Sequence, residues 1–341
     1  MKSFKLLFLF FVLLGGCQSP PPKSKADLTV FSQNAMTIDY RILIGGPLTV
    51  QQKLQIQQII HATFAEVDAI YNKWNAHSEV SRLNALKAHE TVPLSPQLLQ
   101  FLERIDALVH LSEGRFDPTV EPLEQLWKSR LERGVEPSLQ EINTIKACIG
   151  WDKIHFANGQ FLKDHDQTQL DLGGIAKGYC VDLLVERLNS AGFANVYVEW
   201  GGEIRTSGLH PSQRPWNIYI SRLGDTDPAH AIAYLRLTNQ AIATSGDYFQ
   251  YWTITMPTGE LRTYCHIFNP KTLSPLIVKP GSIASASLIA DDCLIADGLA
   301  KVLMLFDSAE EAQAWLEQIQ QTIPHLSCWI ITRQEPVPDL K

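Results

Sequence analysis

Apolar residues recur along this chain with two periods, two and about 3.6 residues, and the change from one to the other is sharpest in 168–182, TQLDLGGIAKGYCVD. Its first half alternates as a strand does. After Gly173-Gly174, residues Ile175, Tyr179, Val181, Leu184, Val185 and Leu188 follow a helical spacing that Gly192 ends. Upstream, Thr49 with Gln52 forms a capping box ahead of a stripe from Ile56 through Ile60, Phe64, Val67 and Tyr71 to Trp74, which predicts a long amphipathic helix. Ser95-Pro96 opens a second helix closed by Gly114, Ser138 and Glu141 cap a short one ending near Gly150, and Ser308 with Glu311 caps the last.

Strand-like pieces lie on both sides of Met36 within 28–44, then at 195–199, 216–221, 231–237, 283–289 and 326–332, with a hairpin turn at Pro257-Thr258-Gly259. The acidic segment 291–297 leads into a helix through about Leu305. Strands and helices intermingle without βαβ regularity, so the pattern predicts an α+β fold, a mixed sheet with flanking helices, in one domain over 28–335.

The leader changes the picture of where this domain works. Lys2 and Lys5 precede an apolar run through Leu14 that is too short to span a bilayer comfortably, the pattern of an export signal over 1–16. Leu14-Gly15-Gly16-Cys17 resembles a bacterial lipoprotein box, in which Cys17 becomes the lipidated N-terminus, and 17–27 reads as a tether. The expectation is an exported, membrane-anchored lipoprotein on the periplasmic side if the cell has two membranes; Gln18 in place of a retaining aspartate favours the outer one. Beyond Cys17 five cysteines remain without metal-ligand spacing, which disfavours a zinc site or a disulfide framework.

Of the 341 residues, 29 are Lys or Arg and 36 Asp or Glu, a net charge of −7. That excess argues against a general nucleic-acid binder. An acidic chain that handles a phosphorylated ligand has to concentrate positive charge locally. The Gly173-Gly174 turn supplies such a place, with a helix start and Lys177 on its first turn. Asp171 either accepts from a sugar or adenine or caps the helix. Trp74 either presents its indole to a planar ligand or ends the core stripe. The loop 114–120, GRFDPTV, has the arginine, aromatic and acid to hold a ring system, and His266 beside Asn269-Pro270 is a candidate proton acceptor, with Asp247 a weaker one.

Seven stations in order resemble the FAD:protein FMN transferases, the ApbE family. They are 78–84 (SEVSRLN), 116–120 (FDPTV), 170–178 (LDLGGIAKG), 201–203 (GGE), 244–248 (TSGDY), 266–270 (HIFNP) and 296–298 (ADG). The resemblance implies FAD held across Met36, Trp74, the loop Arg115, Phe116 and Asp117, Asp171, Lys177 and Ile267. It implies a magnesium ion on the Gly174 carbonyl, the Asp297 carboxylate and a hydroxyl one helical turn later. It also implies transfer of FMN to a threonine or serine of an acceptor flavoprotein, a subunit of a respiratory or electron-transfer complex, with release of AMP. The rivals are hydrolysis of FAD to FMN and AMP, and a lipoprotein that only holds flavin.

Two positions depart from the family pattern. Trp74 stands where a tyrosine is usual, and Lys301 stands where the threonine metal ligand is placed. An ammonium has no lone pair for a metal, and at i,i+4 it is well placed to pair with Asp297. Either Lys301 replaces the magnesium, or Asp292 or water completes the metal shell while Lys301 points away, or the site has lost its chemistry.

Overall fold

The computed structural model describes residues 27–221, 227–248 and 250–333. The export signal and nearly all of the tether, with Cys17, lie outside the described residues. Two strands open the described part of the chain, β1 (Leu28–Ala35) and β2 (Ile38–Gly45), joined at Met36 and Thr37, both with positive φ. Helices follow: α1 (Val50–Tyr71), α2 (Glu79–Ala85), α3 (Pro96–Leu111), α4 (Glu121–Leu131) and α5 (Leu139–Lys146), with the two-residue strand β3 (Val92–Pro93) between α2 and α3. Short strands β4 (Ile154–His155) and β5 (Gln160–Lys163) lead to α6 (Ala176–Ser190).

Beyond α6 the chain is mostly strands. They are β6 (Val196–Trp200), β7 (Glu203–Ser207), β8 (Trp216–Ile220), β9 (Ala233–Leu237), β10 (Ala241–Gly246), β11 (Tyr251–Thr255), β12 (Leu261–Asn269), β13 (Ser274–Ile277) and β14 (Ile283–Ala290). Helices α7 (Cys293–Met304) and α8 (Ala309–Ile319) precede β15 (Ser327–Thr332).

The main sheet has seven strands in the order β1-β2-β6-β7-β10-β14-β15. Its class is α+β as the pattern predicts, but the sheet is not mixed in direction: each of its pairings is antiparallel. The period of two sorts its side chains into two cores. Val196, Val198 and Trp200 of β6, Ala241 and Ala243 of β10, and Ala286 and Leu288 of β14 pack under the helices. Tyr197, Ile242 and Ile289 face the opposite way, onto the β8–β9 hairpin with Trp216, Ile218 and Leu235. A third core joins α4 to the β11-β12-β13 sheet through Leu123, Trp127, Tyr264 and Phe268.

The capping boxes at Thr49 and Ser138 and the side-chain caps of Ser95 and Ser308 form as the local sequence requires. On α1 the stripe buries Ile56, Ile60, Thr63, Phe64, Val67 and Tyr71, where each large apolar side chain contributes about 1.5–3 kcal/mol. Trp74, beyond the helix end, is 85% exposed and is not part of that core.

Several expectations are corrected. Residues 168–172 alternate in burial as a strand would, yet they join no sheet. The Asn84 side chain takes the place of a partner strand: it accepts the Leu170 N–H at 2.7 Å and donates to the Leu170 carbonyl at 2.9 Å. Gly201-Gly202 turns the β6–β7 hairpin inside the sheet. Helices α2 and α4 have no counterpart in the periodicity, because seven and eleven residues give few repeats. The cysteines at 148, 180, 265, 293 and 328 are all free, and burial raises the thiol pKa of each.

Candidate active site

A cleft of about 330 Å³ opens where the Gly173-Gly174 turn feeds α6. Its other walls are the loop after α3, the end of β10, the middle of β12 and one face of α7. Helices α6 and α7 start against each other there. A Cβ on Gly178 would lie 2.5 Å from the Cys293 carbonyl oxygen and 2.8 Å from the Asp297 Cβ, so only glycine permits the approach.

That approach lets the helix starts exchange carboxylates. Asp297, 1% exposed, accepts the Gly178 N–H at 3.1 Å. Asp182 of α6 accepts the N–H groups of Cys293 and Leu294 at 2.8 and 2.9 Å and pairs with Arg205 at 2.8 Å. Burial raises the Asp182 carboxyl against the pull of Arg205. The positive end of α6 thus faces Asp297 before any ligand arrives.

Two lysines stand over this buried acid. Lys177 donates to Glu203 at 2.5 Å, and Lys301 donates to the second oxygen of Asp297 at 2.5 Å. Glu203 is 2% exposed, its other oxygen has no hydrogen-bond partner, and burial pushes its carboxyl up to about 7 despite Lys177. The Ser245 hydroxyl is likewise buried without a partner. Both residues line the cleft, so their unsatisfied oxygens suit a polar ligand. The stem of Lys301 lies over Gly174, where a Cβ would meet its Cε at 3.2 Å.

Asp171 does not cap α6, whose N-cap position is Ile175. It shapes the turn instead, taking the Gly173 N–H at 2.8 Å on one oxygen and Lys73 at 2.9 Å on the other. Lys73 also pairs with Glu121 and sits 5.0 Å over the Trp74 ring, which places Trp74 next to the cleft rim but not among its walls. Oxygens of Glu121, Glu124 and Asp171 lie within 4.8 Å of one another, with Lys73 and Lys128 already paired to them.

Arg115, Phe116 and Asp117 all line the cleft. The Arg115 guanidinium lies 5.0 Å over Phe306, and the Phe116 N–H donates to the Ser112 hydroxyl at 3.0 Å. Asp117 accepts from both the backbone and the hydroxyl of Thr119, while burial raises its carboxyl.

His266 and Ile267 reach the cleft together although they are neighbours on one strand. The pairing of β12 with β13 slips between Tyr264 and Phe268, and such an irregularity re-aims side chains. Burial first, then Lys128 and Lys301, lowers the His266 pKa from its usual 6.5 and favours the neutral imidazole.

Two expected site residues lie elsewhere. Asp247 turns away from the cleft and is held by Arg333 at 2.6 Å and the Tyr251 hydroxyl at 3.3 Å, so it is not placed as a proton acceptor. Met36 packs half-buried against the main core in the β1–β2 turn and does not line the cleft. Conversely the structure adds Glu203, Asp182 and Lys73 to the site and its supports, and of these only Glu203, directly after paired glycines, carries a sequence signal.

The magnesium ligands implied by the resemblance are only partly present. Lys301 lies against Gly174 and donates to Asp297, so the third position is an ammonium that already occupies an Asp297 oxygen. This donor set does not fit the ion.

Comparison with known proteins places this geometry. The chain is 39% identical over 320 residues to the FAD:protein FMN transferase of Chlamydia pneumoniae, covering 93% of this chain and 96% of that one. It is 31% identical over 307 residues to the FAD:protein FMN transferase of Vibrio cholerae, covering 89% and 88%. The solved flavin transferase ApbE of Vibrio cholerae superposes with a TM-score of 0.74 at 28% identity, covering 91% of this chain and 95% of that structure. The apo flavinyl transferase ApbE of Pseudomonas stutzeri gives 0.75 at 26%, covering 91% and 92%. The ApbE family profile matches residues 35–326, and this chain belongs to the ApbE family.

Proposed function

We propose that this chain transfers FMN from FAD to a threonine or serine hydroxyl of an acceptor flavoprotein and releases AMP. The observation that carries the reading is the paired-glycine start of α6, with Lys177 and Lys301 over two buried carboxylates in one cleft. A diphosphate laid there meets positive charge that the acidic remainder of the chain lacks.

In the reaction the acceptor oxygen forms a bond to the FMN-side phosphorus. The bond from that phosphorus to the bridging oxygen breaks, and its electron pair leaves with AMP. The hydroxyl proton goes to His266, whose imidazole burial holds neutral. Phosphoryl-type transfer depends mainly on positioning and charge neutralisation, which assigns Lys177 and Lys301 to the phosphates and the Arg115–Asp117 loop with Ile267 to the ring system.

Incubation with FAD and an exported acceptor carrying a threonine flavinylation site tests this. Covalent fluorescence on the acceptor with matching AMP supports transfer. Free FMN in its place identifies a hydrolase, and unchanged FAD a carrier.

The acceptor we assign is a subunit of a respiratory or electron-transfer complex, and the anchor a lipid on Cys17. What supports the anchor is the leader sequence, residues 1–17. Among the described residues no helix is long and apolar enough to cross a membrane. Membrane fractionation of wild type and Cys17→Ser checks the anchor, and release of the variant into the soluble fraction is the expected result.

A further inference from the structure

Resting on the transferase reading, we propose that the ammonium of Lys301 is the resident cation of the diphosphate site, and that FMN transfer by this chain runs without a divalent ion there. Lys301 stands one helical turn after Asp297 and donates to it at 2.5 Å, while the other Asp297 oxygen takes the Gly178 N–H at 3.1 Å. With Asp297 only 1% exposed, both of its oxygens are already engaged by donors. A metal ion on that carboxylate would have to displace an ammonium, and Lys301 has no lone pair to offer in return.

The charge count points the same way. Asp297 and Glu203, 1% and 2% exposed, carry the two negative charges of the group, and Lys177 and Lys301 the two positive ones. Counted with all four groups ionised, the side chains sum to zero. The lysines are the more exposed members, at 27% and 31% of their side chains. A hydroxyl at position 301 would leave the group at −1 and add an oxygen ligand, which is the composition a hard divalent cation takes up. Lysine instead supplies the positive charge from within the chain, as a point charge suited to phosphate.

Position supports the role as well as charge. The Lys301 stem rests on Gly174, with its Cε 3.2 Å from where a Cβ would stand, so glycine at 174 leaves the stem room to lie against the turn. Lys301 shares the cleft with Gly173, Gly174 and His266. In the transfer step Lys301 neutralises charge on the phosphoryl oxygens while the acceptor oxygen bonds to phosphorus, the bridging oxygen departs on AMP and the hydroxyl proton goes to His266.

The test uses the full wild-type chain with FAD and a threonine-bearing acceptor, reading AMP release in chelator against millimolar Mg2+, and Mn2+ binding by electron paramagnetic resonance. The expected result is a rate in chelator within about twofold of that in Mg2+, with no stoichiometric Mn2+ bound. Lys301→Thr should invert this, binding Mn2+ and transferring FMN only when Mg2+ is supplied. Lys301→Met should lose about 100-fold in transfer, with no rescue by Mg2+. Wild-type transfer that disappears in chelator, returns with Mg2+ and accompanies stoichiometric Mn2+ binding overturns the inference and leaves the transferase reading standing. Bound FAD that is never cleaved under any ion condition overturns both.

Discussion

Asp182 and Asp297 each cap the start of the helix that carries the other. Asp182 sits on α6 and accepts from the first two residues of α7; Asp297 sits on α7 and accepts from Gly178 of α6. The two helix starts converge with a carboxylate facing each, and the cleft beside them is walled by Lys177 on the first turn of α6 and by Lys301 and Val302 on the later turns of α7. Asp182→Ala would strand the buried N–H groups of Cys293 and Leu294 and leave Arg205 without this partner. The expected cost is about 3 kcal/mol, read as a lower urea midpoint at unchanged m-value.

Gly178→Ala sets two effects against each other. Alanine in a helix interior gains about 1 kcal/mol of propensity over glycine. Here its methyl would stand 2.5 Å from the Cys293 carbonyl oxygen, and backbone on both sides would have to move. Overpacking of that kind costs about 1–3 kcal/mol, so the net expectation is destabilisation in a denaturant titration, with weaker FAD binding as the helix starts separate.

His266 gives a pH dependence with a definite sign. Its pKa is lowered from 6.5, so the proton-accepting form persists at neutral pH and is lost on acidification through a midpoint below 6.5. AMP release should therefore fall in acid, and His266→Gln should remove that limb. By linkage the unfolded chain binds the proton more readily, so this group's contribution to stability rises with pH through the same window. Glu203, pushed up to about 7, titrates above it, and Glu203→Gln separates the two limbs in the rate profile.

Trp74 is exposed to 85%, so Trp74→Ala should change stability by no more than about 0.5 kcal/mol. If its indole covers the flavin from the rim, FAD affinity measured by flavin fluorescence should weaken about fivefold, the equivalent of roughly 1 kcal/mol of stacking. Unchanged affinity would remove Trp74 from the binding site.

The legible part of the site was local in sequence. The glycine turn, Lys177 on the first turn of α6 and the i,i+4 relation of Asp297 to Lys301 follow from residues within a few positions of one another. Glu203 was harder to read because its partner Lys177 lies 26 residues away, and its role depends on the β6–β7 hairpin turning beside α6. Asp247 misled for the same reason. Its neighbours 244–248 are polar and compact, yet Arg333, 86 residues on, determines which way it faces.

By itself the sequence determined where the four side-chain-capped helices at Thr49, Ser95, Ser138 and Ser308 start, and which seven motifs appear in order, because caps and periodicities act over three or four residues of one chain. Only the tertiary structure decided that the main sheet is antiparallel throughout, that Asn84 completes the extended segment at Leu170, and that Lys301 rests on Gly174. Those outcomes depend on burial of polar groups by segments that are distant along the chain. A buried N–H or carboxylate must find a partner, and which one it finds is fixed by the packed fold.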